Sequence, residues 1–110
     1  MSRHHARARC GDQSVLVVAG YDRPLRELFL QVLVDAGADA AAEDQFLYAS
    51  LHEPWRDWTD LSTLTGQLAT LGIAVPDSLV QAVCSDQLRQ AGNRVVEHHA
   101  DRAPTIILAG

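Results

Sequence analysis

The five histidines offer the most varied chemistry in this chain, and four of them come in pairs, His4-His5 and His98-His99, with His52 alone. Paired histidines invite a metal reading. On a strand, however, adjacent side chains point to opposite faces, so neither pair closes on one ion by itself. A site would need His98 or His99 joined by Glu97, His52 or an aspartate brought near by the fold. Ser14, Ser50, Ser62, Ser78 and Ser85 lack the glycine-flanked turn of a nucleophile elbow. The fourteen carboxylates are scattered over loops and helix starts, with no pair spaced as an acid–base dyad. Cys10 and Cys84 stand 74 positions apart and match no metal or redox spacing. The chain contains no lysine, which excludes a Schiff base, a P-loop lysine and a lysine general base. No catalytic, cofactor-binding or metal residue is assigned, and no cofactor is expected.

Two other clusters suit recognition better than catalysis. Trp55-Arg56-Asp57-Trp58 gathers both tryptophans and an arginine in a connection, and Tyr21-Asp22-Arg23 is a second loop of that character. Trp, Tyr and Arg dominate interface hot spots, so Tyr21, Asp22, Arg23, Trp55, Arg56 and Trp58 are the expected partner-binding residues. The competing role for the tryptophans is to close the core. Charge points the same way as the clusters. Arg3, Arg7 and Arg9 with His4 and His5 fill the first ten positions, and residues 1–13 read as a flexible basic tail. Beyond Cys10, six arginines face all fourteen acids, leaving a body of about −8 within a chain of −5. Such a body is repelled by phosphate backbones and is complementary to a basic protein surface.

The expected function is a non-enzymatic interaction module: a small inhibitor, immunity-type or adaptor protein, with a nucleic-acid mimic as a variant of the same idea. An alternative is a DNA-associated regulator that uses a helix pair. Gln81, Gln87 and Gln90 favour it, whereas Asp77, Asp86 and the single Arg89 oppose it. A small metal-dependent or acid–base enzyme is the third reading. A protein partner is expected, nucleic acid is disfavoured, and a homodimer is compatible with the sequence.

These residues need elements to position them. A chain of 110 residues with 47% apolar content suits one domain and buries roughly 60–70% of its unfolded surface. No run approaches the ~20 residues of a membrane span, and the early apolar run is too short for a signal peptide, so a cytoplasmic protein is expected. Residues 15–19 form a valine-rich buried strand. Residues 24–36 fit a helix by spacing, but Asp22-Arg23-Pro24-Leu25 also fits a turn leading into a strand from Phe29 to Val34. Two points favour the strand: no further βα unit follows, and Leu30 and Val34 would fall on the helix's wet face. Residues 37–44 read as an acidic hairpin loop and 45–51 as a short β segment.

Leu61, Leu64, Leu68 and Leu71 mark a helix capped by Thr59 or Asp57 and stopped by Gly72, with Ile73 folding back on Leu68. Pro76 opens a second helix whose apolar face is Leu79, Val80, Val83, Leu88 and Ala91, ended by Gly92-Asn93. A terminal hairpin pairs residues 94–98 with 105–108. The expectation is one α+β domain over residues 14–110. Its order is β-β-β-α-α-β-β, with a small antiparallel sheet packed against an αα-hairpin through Leu61, Leu64, Leu68, Val80, Val83 and Leu88.

Two resemblances accompany this reading. Ser14-Val15-Leu16-Val17-Val18-Ala19 with Arg23-Pro24-Leu25-Arg26-Glu27-Leu28 resembles the opening of response-regulator receivers. That family's acidic pair is replaced here by Ala19-Gly20-Tyr21, its late lysine is missing, and no phosphoacceptor aspartate ends a strand near position 50. The resemblance therefore implies no phosphorelay activity. Gly20-Tyr21-Asp22-Arg23-Pro24-Leu25, Leu47-Tyr48-Ala49-Ser50 and Leu71-Gly72-Ile73-Ala74-Val75-Pro76 together look like a group of small bacterial proteins without assigned function. That likeness covers most of residues 14–95, implies the hairpin rather than the helix, and implies no activity.

Overall fold

The computed structural model describes residues 1–34 and 46–109; the acidic loop expected at 37–44 lies outside them. Two helices pack on one face of a six-stranded sheet. The strands are β1 (Ser2–Cys10), β2 (Gln13–Asp22), β3 (Glu27–Val34), β4 (Phe46–Ala49), β5 (Arg94–His98) and β6 (Thr105–Ala109), and the helices are α1 (Leu61–Leu71) and α2 (Asp77–Arg89). The spatial order is β4-β3-β2-β1-β5-β6. This is the expected small α+β fold with two corrections. The sheet is mixed, because β1 runs parallel to β5 while every other pair is antiparallel. It also contains one strand more than expected.

The extra strand is the supposed tail. Residues 2–10 form β1, bonded to β2 on one side and β5 on the other. The period-two alternation of a strand is present in the sequence: Ser2, His4 and Ala6 are buried, while Arg3, Arg7 and Arg9 are exposed. It is hard to read because the inward residues are small or polar rather than branched and apolar. A two-residue hairpin turn carries β1 into β2, with Gly11 at φ 63, where only glycine is unstrained. Gly20 lets the two strands meet at the other end, since a Cβ there would lie 2.0 Å from the Ser2 carbonyl oxygen.

The fork at residues 24–36 resolves as a hairpin. Asp22 pairs with Glu27 across the turn, in which the Arg26 amide donates to the Arg23 carbonyl at 3.2 Å and the Leu25 amide donates to Asp22 Oδ1 at 3.3 Å. β3 then alternates Leu28, Leu30 and Val32 into the core. After β4, a 3-10 turn (Ser50–His52) begins the connection to α1.

The N-cap of α1 is Asp60, not Thr59 or Asp57, and its side chain accepts the Ser62 amide at 2.9 Å. At the other end Gly72 takes the left-handed conformation (φ 72), and the Ile73 amide donates to the Leu68 carbonyl at 2.9 Å. Pro76 sits at the N-cap of α2, and Gln90, rather than Gly92, provides the left-handed stop. The inward face of α2 is Leu79, Val83 and Asp86. Leu88, expected in the core, is 80% exposed because it lies on the opposite side of the helix. α2 covers β1 and β2, and α1 lies against β3. The core between sheet and helices is built from Val15, Val17, Ala19, Leu30, Val32, Leu64, Leu68, Leu79 and Val83.

Candidate functional site

The two loops singled out for recognition converge at the β2–β3 end of the sheet. Asp22 and Leu25 from the hairpin turn, Leu51 from the 3-10 turn, and Pro54 and Trp58 from the following connection line one groove of about 240 Å³, together with Phe29 of β3. The sequence pattern explains why both loops dock here. The Leu28 amide donates to the Trp58 carbonyl at 2.7 Å, and the Trp58 indole donates to the Glu53 carbonyl at 3.0 Å. The Leu30 amide donates to Ser50 Oγ at 3.0 Å. These bonds fix residues 50–58 along β3, and the groove is the gap that remains.

The six expected interface residues divide sharply. Tyr21 and Trp58 are core residues, at 3% and 4% exposure. Tyr21 points inward because it follows Val15, Val17 and Ala19 in the alternation of β2. Trp58 belongs to the core cluster, with its ring 6.5 Å from that of Tyr48 on β4. Tyr21 is out of a partner's reach, and Trp58 contributes only a wall of the groove rather than an exposed anchor. Arg23 and Arg56 are exposed and Asp22 is half-buried. Trp55 is 72% exposed, and Leu25 and Leu51 around the groove are 66% and 83% exposed. Leu25 and Leu51 are new members of the site; the sequence conceals them, because Leu25 shares a helical spacing with Leu28, Phe29 and Val32 and Leu51 reads as the end of the β segment 45–51. Arg56 and Glu53 form an ion pair at 3.0 Å, and that bond holds the Glu53 carboxyl below its usual range. Arg3, Glu27 and Gln31 complete the rim, so its charge is of both signs.

A second constellation lies buried on the far side of β1. Ser78 Oγ is 2.9 Å from His98 Nδ1, His98 Nε2 is 2.8 Å from His4 Nδ1, and His4 Nε2 is 2.5 Å from Asp86 Oδ2. Arg94 donates to the other Asp86 oxygen at 3.0 Å. A carboxylate only accepts, so the donors run one way: His4 gives Nε2–H to Asp86, His98 gives Nε2–H to His4, and Ser78 gives its hydroxyl to His98. The sequence argument that paired histidines face opposite ways holds at β1, where His4 is buried and His5 lies on the open face. The readable signal for the cluster was Asp86, a carboxylate at helical spacing from Leu79 and Val83 on the buried face of α2.

This chain has the connectivity of nucleophile, base and orienting acid, so its chemistry must be weighed. Burial holds His98 down at about 4, helped by His4 and Arg94 and opposed by Asp86. A ring that weakly basic is a poor general base at neutral pH. The cleft of about 450 Å³ that reaches His98 is lined by His5, His99 and Arg102, among others, and not by Ser78. The geometry favours a clasp that ties β1, β5 and α2 together. Among the described residues, no group of three or more His, Cys, Asp or Glu side chains is arranged to hold a metal ion. No described helix is long and apolar enough to cross a membrane. No protein-family model, curated protein or solved structure matches the chain.

Proposed function

We propose that this protein is an interaction module that seats a large apolar side chain of a protein partner in the groove between the β2–β3 turn and residues 50–58. The observation that carries this is the exposure of Leu25 and Leu51 around one concave site that Phe29 and Pro54 also line. Single exposed leucines are ordinary, but apolar side chains gathered at a groove mark binding surfaces. Its volume of about 240 Å³ lies below the 300–1,000 Å³ typical of small-molecule pockets, and suits one anchoring side chain better than a cofactor. The flanking charges of Arg3, Asp22 and Glu27 would orient the segment that carries the anchor. The net charge of −5 favours encounter with a basic protein, which is an effect on rate more than on affinity.

The test is selection from a displayed random-peptide library against the purified chain. Enriched peptides should share an aromatic or large aliphatic anchor and lose at least ~10-fold in affinity for Leu51→Asp, as expected of a hot-spot contact. Failure to enrich, or peptides that bind Leu51→Asp equally well, would remove the groove from the account.

A further inference from the structure

We infer that the partner segment seated in the β2–β3 groove is bipolar: its apolar anchor is flanked by a basic residue toward the hairpin and an acidic residue toward β1. This rests on the interaction-module reading and adds the chemistry of the partner. Asp22 and Glu27 sit directly opposite each other across β2 and β3, and both line the groove. Like charges placed opposite on a sheet are destabilising, so this end of the groove favours a cation from outside. The hairpin's own arginines do not supply it. Arg23 and Arg26 are exposed and line no part of the groove. Arg23 extends toward Gly92, its Nη1 3.7 Å from where a Cβ on that glycine would stand.

Arg3 brings the opposite charge to the same groove. β1 and β3 flank β2, so Arg3 and Glu27 approach from strands roughly 10 Å apart, the reach of roughly three residues of extended chain. Both are exposed, and among the described residues neither side chain is hydrogen-bonded or ion-paired. A wholly basic segment would set a cation against Arg3, and a wholly acidic one a carboxylate against Asp22 and Glu27. A segment with one charge of each sign, about three positions apart around its anchor, meets complementary charge at both ends. The chain itself holds such a segment, Glu53-Pro54-Trp55-Arg56, with Trp55 exposed. A second copy is nevertheless disfavoured as the occupant. Glu53 and Arg56 are already bonded to each other at 3.0 Å, and copies of net charge −5 repel.

The probe is a fluorescent peptide enriched from the displayed library against the unaltered chain, with affinity read by anisotropy. Enriched peptides should carry Lys or Arg on one side of the anchor and Asp or Glu on the other. Glu27→Arg and Arg3→Glu should each weaken binding roughly five-fold, the value of one exposed ion pair, and the loss should fade in ~1 M salt. Arg9→Glu makes the same charge change on the same strand outside the groove, and it should bind as the parent does. Circular dichroism should show all three variants folded. Peptides that require Leu51 but lack the paired charges, or that bind Glu27→Arg and Arg3→Glu as tightly as the parent, would overturn this inference and leave the groove standing. Peptides indifferent to Leu51→Asp would remove both. Sedimentation gives the remaining outcome: a mass that rises with concentration, and no longer does so in Trp55→Ala, would assign the groove to a second copy and overturn it as well.

Discussion

At the residue scale, the clasp is where single side chains matter most. His4 and Asp86 are 0% and 1% exposed, so removing His4 leaves Asp86 with Arg94 alone and the His98 Nε2–H without its acceptor. His4→Ala should therefore cost about 1–3 kcal/mol, the range for leaving a buried polar group unsatisfied, measured by urea unfolding. The same cluster makes stability depend on pH. In the folded state His98 titrates near 4, against 6.5 unfolded. Stability from this group is complete above about pH 6.5 and is lost as pH falls toward 4, because only the unfolded chain takes up the proton in that window. The loss approaches about 3 kcal/mol at pH 4. The groups facing His98 are His4 on β1, Asp86 and Ser78 on α2, and Arg94 and His99 on its own side. His5, which burial also holds low, adds a loss of the same sign. Urea midpoints measured from pH 7 to pH 4 should fall steeply, and His98→Gln should flatten that slope. The tryptophans separate at this scale too. Trp58→Ala should cost about 3–5 kcal/mol as a core truncation, whereas Trp55→Ala should change stability by less than about 0.5 kcal/mol.

Among the elements, β1 explains both what the sequence reveals and what it conceals. A strand is legible when branched apolar residues alternate with polar ones, as Val15, Val17 and Ala19 do in β2. In β1 the inward positions are Ser2, His4 and Ala6, so the composition imitates a basic tail and the alternation carries no hydrophobic contrast. Hydrogen bonds take over the task of placing it. A slip of one residue would put His5 rather than His4 before Asp86 and send every arginine into the core. The clasp depends on residues 82 to 94 positions away in the chain, which no local pattern can reveal. The helices were legible because their signals are local. Leucine spacing, Gly72 and Pro76 all mark α1 and α2 within a turn or two. Leu88 was misplaced because α2 commits its inward face to Asp86, and the outer side takes the leucine. Asp60→Ala should cost about 1 kcal/mol by uncapping α1, and Gly72→Ala a similar amount by straining a left-handed residue. Thermal denaturation of the two variants checks both.

For the whole molecule, incorporating residues 2–10 into the sheet changes the charge picture. Arg3, Arg7 and Arg9 do not trail from an acidic body; they project from the central strand on the face opposite the helices. The chain is therefore acidic overall with a basic stripe, and long-range attraction to a basic protein is weaker than a body of −8 would give. Partner association should still slow as salt rises, while the dissociation rate, set by the apolar groove, should change little. Both loops proposed for recognition were legible by composition, yet their convergence was not, because the residues that bring them together are Ser50 and Trp58 bonding to β3. The most direct test of the central claim is an amide-spectrum titration of the labelled protein with a peptide selected from the displayed library. Perturbations concentrated at residues 22–29 and 50–58 are the predicted result. Perturbations centred instead on the arginine face of β1 or on β6, with the groove silent, would contradict it.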